Sequence, residues 1–192
     1  MLIAHTHKLL FIHIPRTGGT CIDFIFNYQL KGLLERLQMH GNAATKEAKY
    51  IEELKDYFKF SFVRNPWDRW LSWYSFLVKA NKKTNDIRLE EFEHFLEETL
   101  VEKKGIDAYF HINQIDFLKN QAGHIIVDHI GRFEQFEIEL QSIFSKLDLP
   151  LKEIPLINES FKKDYRLFYT PKSKALVEEY CAEDIRYFDY RF

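Results

Sequence analysis

The chain has 192 residues, 46% of them hydrophobic and 16% aromatic, enough for one well-packed domain and too apolar for a disordered chain. Its 27 basic and 29 acidic residues leave a net charge of −2, which argues against a general nucleic-acid coat. The two cysteines, Cys21 and Cys181, are too few for a disulfide framework. The histidines show no metal-ligand spacing, and no Cys-x-x-Cys or His-Glu-x-x-His pattern occurs, so no structural or catalytic metal is expected.

The first strand is expected in Leu9-Leu10-Phe11-Ile12-His13-Ile14. So early a strand leaves no room for a signal peptide or transmembrane anchor, and with two cysteines the expected setting is cytoplasmic. The run breaks into Pro15-Arg16-Thr17-Gly18-Gly19-Thr20 and resumes as the helix-like Cys21-Ile22-Asp23-Phe24-Ile25-Phe26. A strand that passes through a glycine-rich turn into a helix is an anion cradle, because first-turn amides have no intrahelical partner and the helix dipole is positive there. Gly18 and Gly19 allow close backbone approach, Thr17 and Thr20 carry hydroxyls, and Arg16 carries a fork of N–H donors. No G-x-x-x-x-G-K-[ST] pattern is present, so this is not the ordinary nucleotide-triphosphatase loop.

Further along, Thr45 to Tyr57 has helical character, and Lys59 to Val63 reads as a second buried strand ending at Arg64. Asn65 is suited to cap, and Pro66 to open, a helix reaching Lys79. Arg64 at the strand's mouth and Ser72 two turns along that helix offer a second anion site. Trp70, Trp73 and Tyr74 share one helical face and are expected in the core. Asn81 to Asp86 is a polar break. Leu89 to Glu102 has helical spacing through Leu89, Phe92, Phe95, Leu96 and Leu100, and Gly105 ends it. Ile125-Ile126-Val127 is expected as a short buried parallel strand. Phe133 to Leu147 is read as an amphipathic helix with Phe136, Leu140, Ile143 and Leu147 inward, and Pro171 to Tyr180 as the last helix. This alternation implies an α/β sandwich with a parallel sheet, one domain over residues 1–192, with ligands at the carboxyl ends of the strands.

FIHIPRTGGT together with FKFSFVRNPWDRWLSWY resembles the sulfotransferases that use 3′-phosphoadenosine 5′-phosphosulfate (PAPS), in the carbohydrate-sulfotransferase-like branch and its soluble bacterial relatives. The resemblance continues through Ile130-Gly131-Arg132-Phe133-Glu134, Asn158-Glu159-Ser160 and the closing Asp184-Ile185-Arg186-Tyr187-Phe188-Asp189-Tyr190. It implies a three-layer sandwich with a central parallel sheet, the sulfotransferase relative of the P-loop NTPase fold. It also implies that Pro15, Arg16, Thr17, Gly18, Gly19, Thr20 and Cys21 hold the 5′-phosphosulfate, that Arg64 and Ser72 hold the 3′-phosphate, and that Arg132 touches nucleotide or acceptor. Trp67, in the loop-to-helix turn, is expected near the nucleotide. The family usually has Lys at Arg16 and Ser at Cys21. Arginine stays protonated, so Arg16 serves electrostatically rather than as a proton donor. Cys21 has two readings, a thiol with thiolate character at a helix N-terminus or a small buried filler.

The resemblance implies sulfuryl transfer to a hydroxyl of a carbohydrate or glycoconjugate, with a histidine base in a stretch similar to Met39-His40-Gly41-Asn42-Ala43-Ala44-Thr45. His40 is the candidate, Asn42 falls where the family's histidine falls, and His111 is the reserve. His13 lies one residue from the loop and is read either as a loop ligand or as a core histidine. Lys162-Lys163-Asp164-Tyr165-Arg166 reads as a segment that closes over the cofactor or as a solvated loop. Two other readings remain: a P-loop nucleotide kinase or ATPase, and a non-catalytic nucleotide-binding protein that kept the cradle and lost the base.

Overall fold

The computed structural model describes residues 1–37, 51, 53–82, 87–101, 113–120, 122–155 and 163–192. They divide into two units, Met1–Arg64 with Gln114–Asn158, and Asn65–Asn113 with Glu159–Phe192. Among the described residues, no helix is long and apolar enough to cross a membrane.

In the first unit, apolar runs form the strands β1 (Leu2–Ala4), β2 (Leu9–Ile12), β3 (Leu34–Arg36), β4 (Phe58–Val63) and β5 (His129–Arg132). They form one sheet in the order β3-β1-β2-β4-β5. β2, β4 and β5 are mutually parallel, and β1 is antiparallel to both β2 and β3. Four of the five strands therefore run one way, giving the mostly parallel α/β sheet that the alternation implied. The β1–β2 turn explains the exception: Lys8 takes φ +51° and its N–H returns to the His5 carbonyl, closing a tight reversal.

Period-two alternation sends Phe60 and Phe62 of β4, with Leu9 and Phe11 of β2, into one core. Helix α1 (Gly19–Tyr28) adds Cys21, Ile22, Ile25 and Phe26, and helix α4 (Phe136–Lys146) adds Leu140, Ile143 and Phe144. Ile3, Leu10 and Ile12, which point to the opposite face, are fully buried as well. Such two-sided burial is what a parallel α/β sheet requires.

The third parallel strand is not Ile125-Ile126-Val127. Those residues are half-buried, Ile125 makes only an isolated antiparallel bridge to Lys119, and β5 begins four residues later at His129. Sequence hydrophobicity misplaced the strand because β5 is chosen by fit. Gly131 lies beside Phe62, and a Cβ there would come within 2.6 Å of the ring. Asp128 then locks the entry, donating its N–H to the Lys59 carbonyl and accepting from Lys59 N–H through Oδ2 at 2.7 Å.

The second unit contains α2 (Pro66–Lys82), α3 (Leu89–Leu96) running into a π turn (Glu97–Val101), α5 (Pro171–Tyr180) and α6 (Ala182–Tyr187). Asn65 caps α2 as expected, its Oδ1 accepting from Trp67 N–H at 3.1 Å, with Pro66 in first position. Trp67, Trp70, Leu71, Tyr74 and Val78 form a helical stripe that packs with Phe92, Leu96, Leu100 and Val177. Trp73 is half-buried and Leu89 exposed. Trp67 joins this core as well. It is 2% exposed, its Nε1 donates to the Lys174 carbonyl, and its ring meets Phe192 edge-on. Helix α6 was not foreseen.

Candidate anion-binding site

β2 delivers the chain to the loop at its carboxyl end. Thr17 is fully buried and its hydroxyl donates to the Ile14 carbonyl at 2.8 Å, so this side chain folds the loop upon itself. Arg16 has φ +68°, a left-handed conformation uncommon outside glycine, and is half-buried. Gly18, at φ +90°, precedes α1, and its carbonyl accepts from the N–H groups of Cys21 and Ile22. No side-chain hydrogen bond caps this helix end, and with Cys21 N–H taken by the Gly18 carbonyl the Gly19 and Thr20 amides are the first-turn groups suited to an anion. Both glycines are also demanded by neighbours. A Cβ on Gly18 would meet the Phe136 ring at 2.6 Å, and one on Gly19 would overlap His13 Nε2 at 1.9 Å. His13 is therefore packed on the first turn of α1, half-buried and stacked with Phe11. Thr20 is exposed and Pro15 buried.

Arg64 follows β4 and is 2% exposed. Its Nη1 donates to the Arg16 carbonyl at 3.2 Å, and its guanidinium carbon lies 4.4 Å from the centre of the Phe133 ring. Burial, and next the positive charge of Arg64, lower the Arg16 pKa to about 10. Arg16 is still protonated at neutral pH. Two like charges are thus held close at an uncapped helix N-terminus, and this donor set suits a multiply charged oxyanion. Arg132 ends β5 in register with Val63, at the same carboxyl edge of the parallel strands.

The first unit thus sets Pro15, Arg16, Thr17, Gly18, Gly19, Thr20 and Cys21, with Arg64 and Arg132, at one edge of the sheet. Ser72 is buried on α2 in the second unit. His40, Asn42 and His111 lie outside the described residues, as do Asn158, Glu159, Ser160 and Lys162. Of the two readings of Cys21, the structure takes the buried filler. Burial, with the Glu137 charge behind it, pushes the thiol up to about 11, and Sγ–H points to the Pro155 carbonyl at 3.6 Å. Sequence reasoning gave no part in holding Arg64 to Gln114, which reads only as part of a stretch, Tyr109–Gln114, that could line an acceptor cleft, or to the ring of Phe133, which lies in the Ile130–Glu134 stretch that carries the family resemblance.

The model of the sulfotransferase family matches residues 1–191. An uncharacterized protein of Archaeoglobus fulgidus is 29% identical over 110 residues, covering 57% of this chain and 83% of that protein. No solved structure matches.

Proposed function

Because the chain belongs to the sulfotransferase family, we propose that it moves a sulfuryl group from PAPS to a hydroxyl of a carbohydrate or glycoconjugate, as one domain over residues 1–192. The observation that carries this reading is the contact between Arg64 and Arg16, with Nη1 of Arg64 3.2 Å from the carbonyl of Arg16 in the loop that leads into α1. Such a concentration of positive charge fits a ligand with phosphates at two positions.

PAPS, when bound, supplies an activated sulfuryl group on its 5′-phosphate. The first-turn amides of α1 and the loop Pro15–Cys21 are proposed to hold that end. Arg16 stays charged and stabilises the negative charge that develops on the departing phosphate. Arg64, and Ser72 by the resemblance, are proposed ligands of the 3′-phosphate, with Arg132 a further contact at the same edge as Arg64. His40 is the proposed base for the acceptor hydroxyl, a role generally worth about 10²–10⁴-fold in rate. The remaining work is positioning, which lowers the barrier without new covalent chemistry.

Thermal unfolding with adenosine 3′,5′-bisphosphate, AMP and ATP side by side tests the reading. At a concentration of ~100 times Kd, a ligand adds ~2.7 kcal/mol, or roughly 5–10 °C in Tm for a chain of this size. A rise of that order with the bisphosphate and little with AMP supports PAPS as donor. A larger rise with ATP and magnesium favours a kinase or ATPase.

A further inference from the structure

Gln114 opens a short 3₁₀ turn, Gln114–Phe117, and is fully buried. Its side-chain amide meets both main-chain groups of Arg64. The Arg64 N–H donates to Oε1 at 2.9 Å, and Nε2 donates to the Arg64 carbonyl at 2.8 Å. Arg64 is the first residue beyond β4, where the ladder with β5 stops at the Val63–Arg132 pair. A primary amide has a donor and an acceptor in one plane, and here it presents what a further strand would present. Gln114 therefore carries the sheet's hydrogen bonding one residue past its end.

Holding the main chain of Arg64 sets the direction in which its side chain leaves. The guanidinium then lies against the Phe133 ring and donates to the Arg16 carbonyl. Arg16 is the loop residue in left-handed conformation, so its carbonyl direction depends on an outside hold. A continuous series of contacts runs from the Gln114 amide through Arg64 to the anion loop, over fifty residues of sequence separation at its first step.

We infer that Gln114 is a positioning residue that sets, through Arg64, how strongly the protein prefers a nucleotide with a 3′-phosphate over one without it. The inference rests on the donor reading above. An apolar side chain at 114 removes both of these hydrogen bonds and loosens the hold on the Arg64 main chain. The first-turn amides of α1, proposed to hold the 5′ end, are set by the helix itself and by the Thr17 hydroxyl on the Ile14 carbonyl, and depend on that hold less than the Arg64 side chain does. Affinity for the 5′-phosphate alone therefore falls less.

The test compares Kd for adenosine 3′,5′-bisphosphate and for AMP, by calorimetry on the full chain, in wild type, Gln114→Met and Gln114→Glu. Met matches the volume without hydrogen bonds. Glu keeps the shape, but as a carboxylate it cannot donate to the Arg64 carbonyl. The bisphosphate is expected to weaken about tenfold in both variants and AMP by less than about threefold, so the preference shrinks. Phe133→Leu, which leaves the Gln114 bonds in place and removes the ring under the guanidinium, is expected to shrink it by about threefold, and it reads out the same contact series if position 114 does not tolerate change. A variant that folds and keeps the wild-type ratio overturns the inference, as does equal weakening of both ligands. A wild type with no preference for the bisphosphate overturns the donor reading instead.

Discussion

In the second unit three ring donors of the aromatic core meet neutral acceptors. Trp67 Nε1 donates to the Lys174 carbonyl at 3.1 Å, the Tyr169 hydroxyl to the Trp67 carbonyl at 2.7 Å, and Trp70 Nε1 to Cys181 Sγ at 3.3 Å. In the first unit, the sheet edge instead keeps Arg16 in a left-handed conformation beside the like charge of Arg64. Neutral pairs inside an aromatic core stabilise the fold without reference to any ligand. Two like charges brought near one another repel, and a bound anion between them would relieve that repulsion, as the proposed function requires. Stability and anion binding should therefore be separable by substitution.

The largest effect is expected in the aromatic unit. Trp70 is 1% exposed and lies among Phe95 and Tyr180, so Trp70→Ala should cost about 3–5 kcal/mol, with a Tm fall of more than about 6 °C. In the fraction that remains folded, the preference for bisphosphate over AMP should be unchanged; its loss would end the separation. Next comes Arg64→Ala, which removes charge-assisted bonds worth about 1.5–3 kcal/mol and should weaken bisphosphate binding about 10–100-fold. Arg16→Ala should chiefly lower turnover, and wild-type activity in both arginine variants would contradict the assignment.

A smaller effect concerns pH. Burial and Arg64 disfavour the charged form of Arg16, so in the free protein it loses its proton as pH rises through about 10. From about pH 8, where the phosphates are fully ionised, turnover should hold level and then fall as pH rises through about 10, with a smaller loss of bisphosphate affinity. A bound anion favours the charged form, so binding near pH 10 should take up protons, detectable by calorimetry in two buffers of different ionisation enthalpy. Binding without uptake would remove Arg16 from the site.

Thr170 caps α5 in a box with Ser173 and also donates to Glu93. Thr170→Ala should cost about 1 kcal/mol and leave anion binding alone. The smallest expected signal is thiol labelling. Burial pushes Cys21 up to about 11 and Cys181 up to about 12, so neither should react with iodoacetamide at pH 8 until the chain unfolds.

Much of this was legible in the order of residues, because it depends on near neighbours. The Pro15–Thr20 turn between strand and helix, the Asn65–Pro66 start of α2, and the inward stripe of Leu140 and Ile143 on α4 all follow from spacings of one to four residues. The sequence by itself thus determined a mostly parallel α/β sheet with the Pro15–Thr20 loop at its carboxyl edge. Other features were decided by packing between distant segments. Gly131 against Phe62 placed β5 at His129–Arg132, although Ile125–Val127 is the more apolar run. The Cys21 thiol faces the Pro155 carbonyl across 134 residues of chain, and its helix position alone argued for the opposite charge state. Gln114 grips Arg64 across fifty residues. A local pattern states which groups a segment offers, but whether a buried group finds a partner depends on which other segment folds against it, and only the tertiary structure settles that pairing.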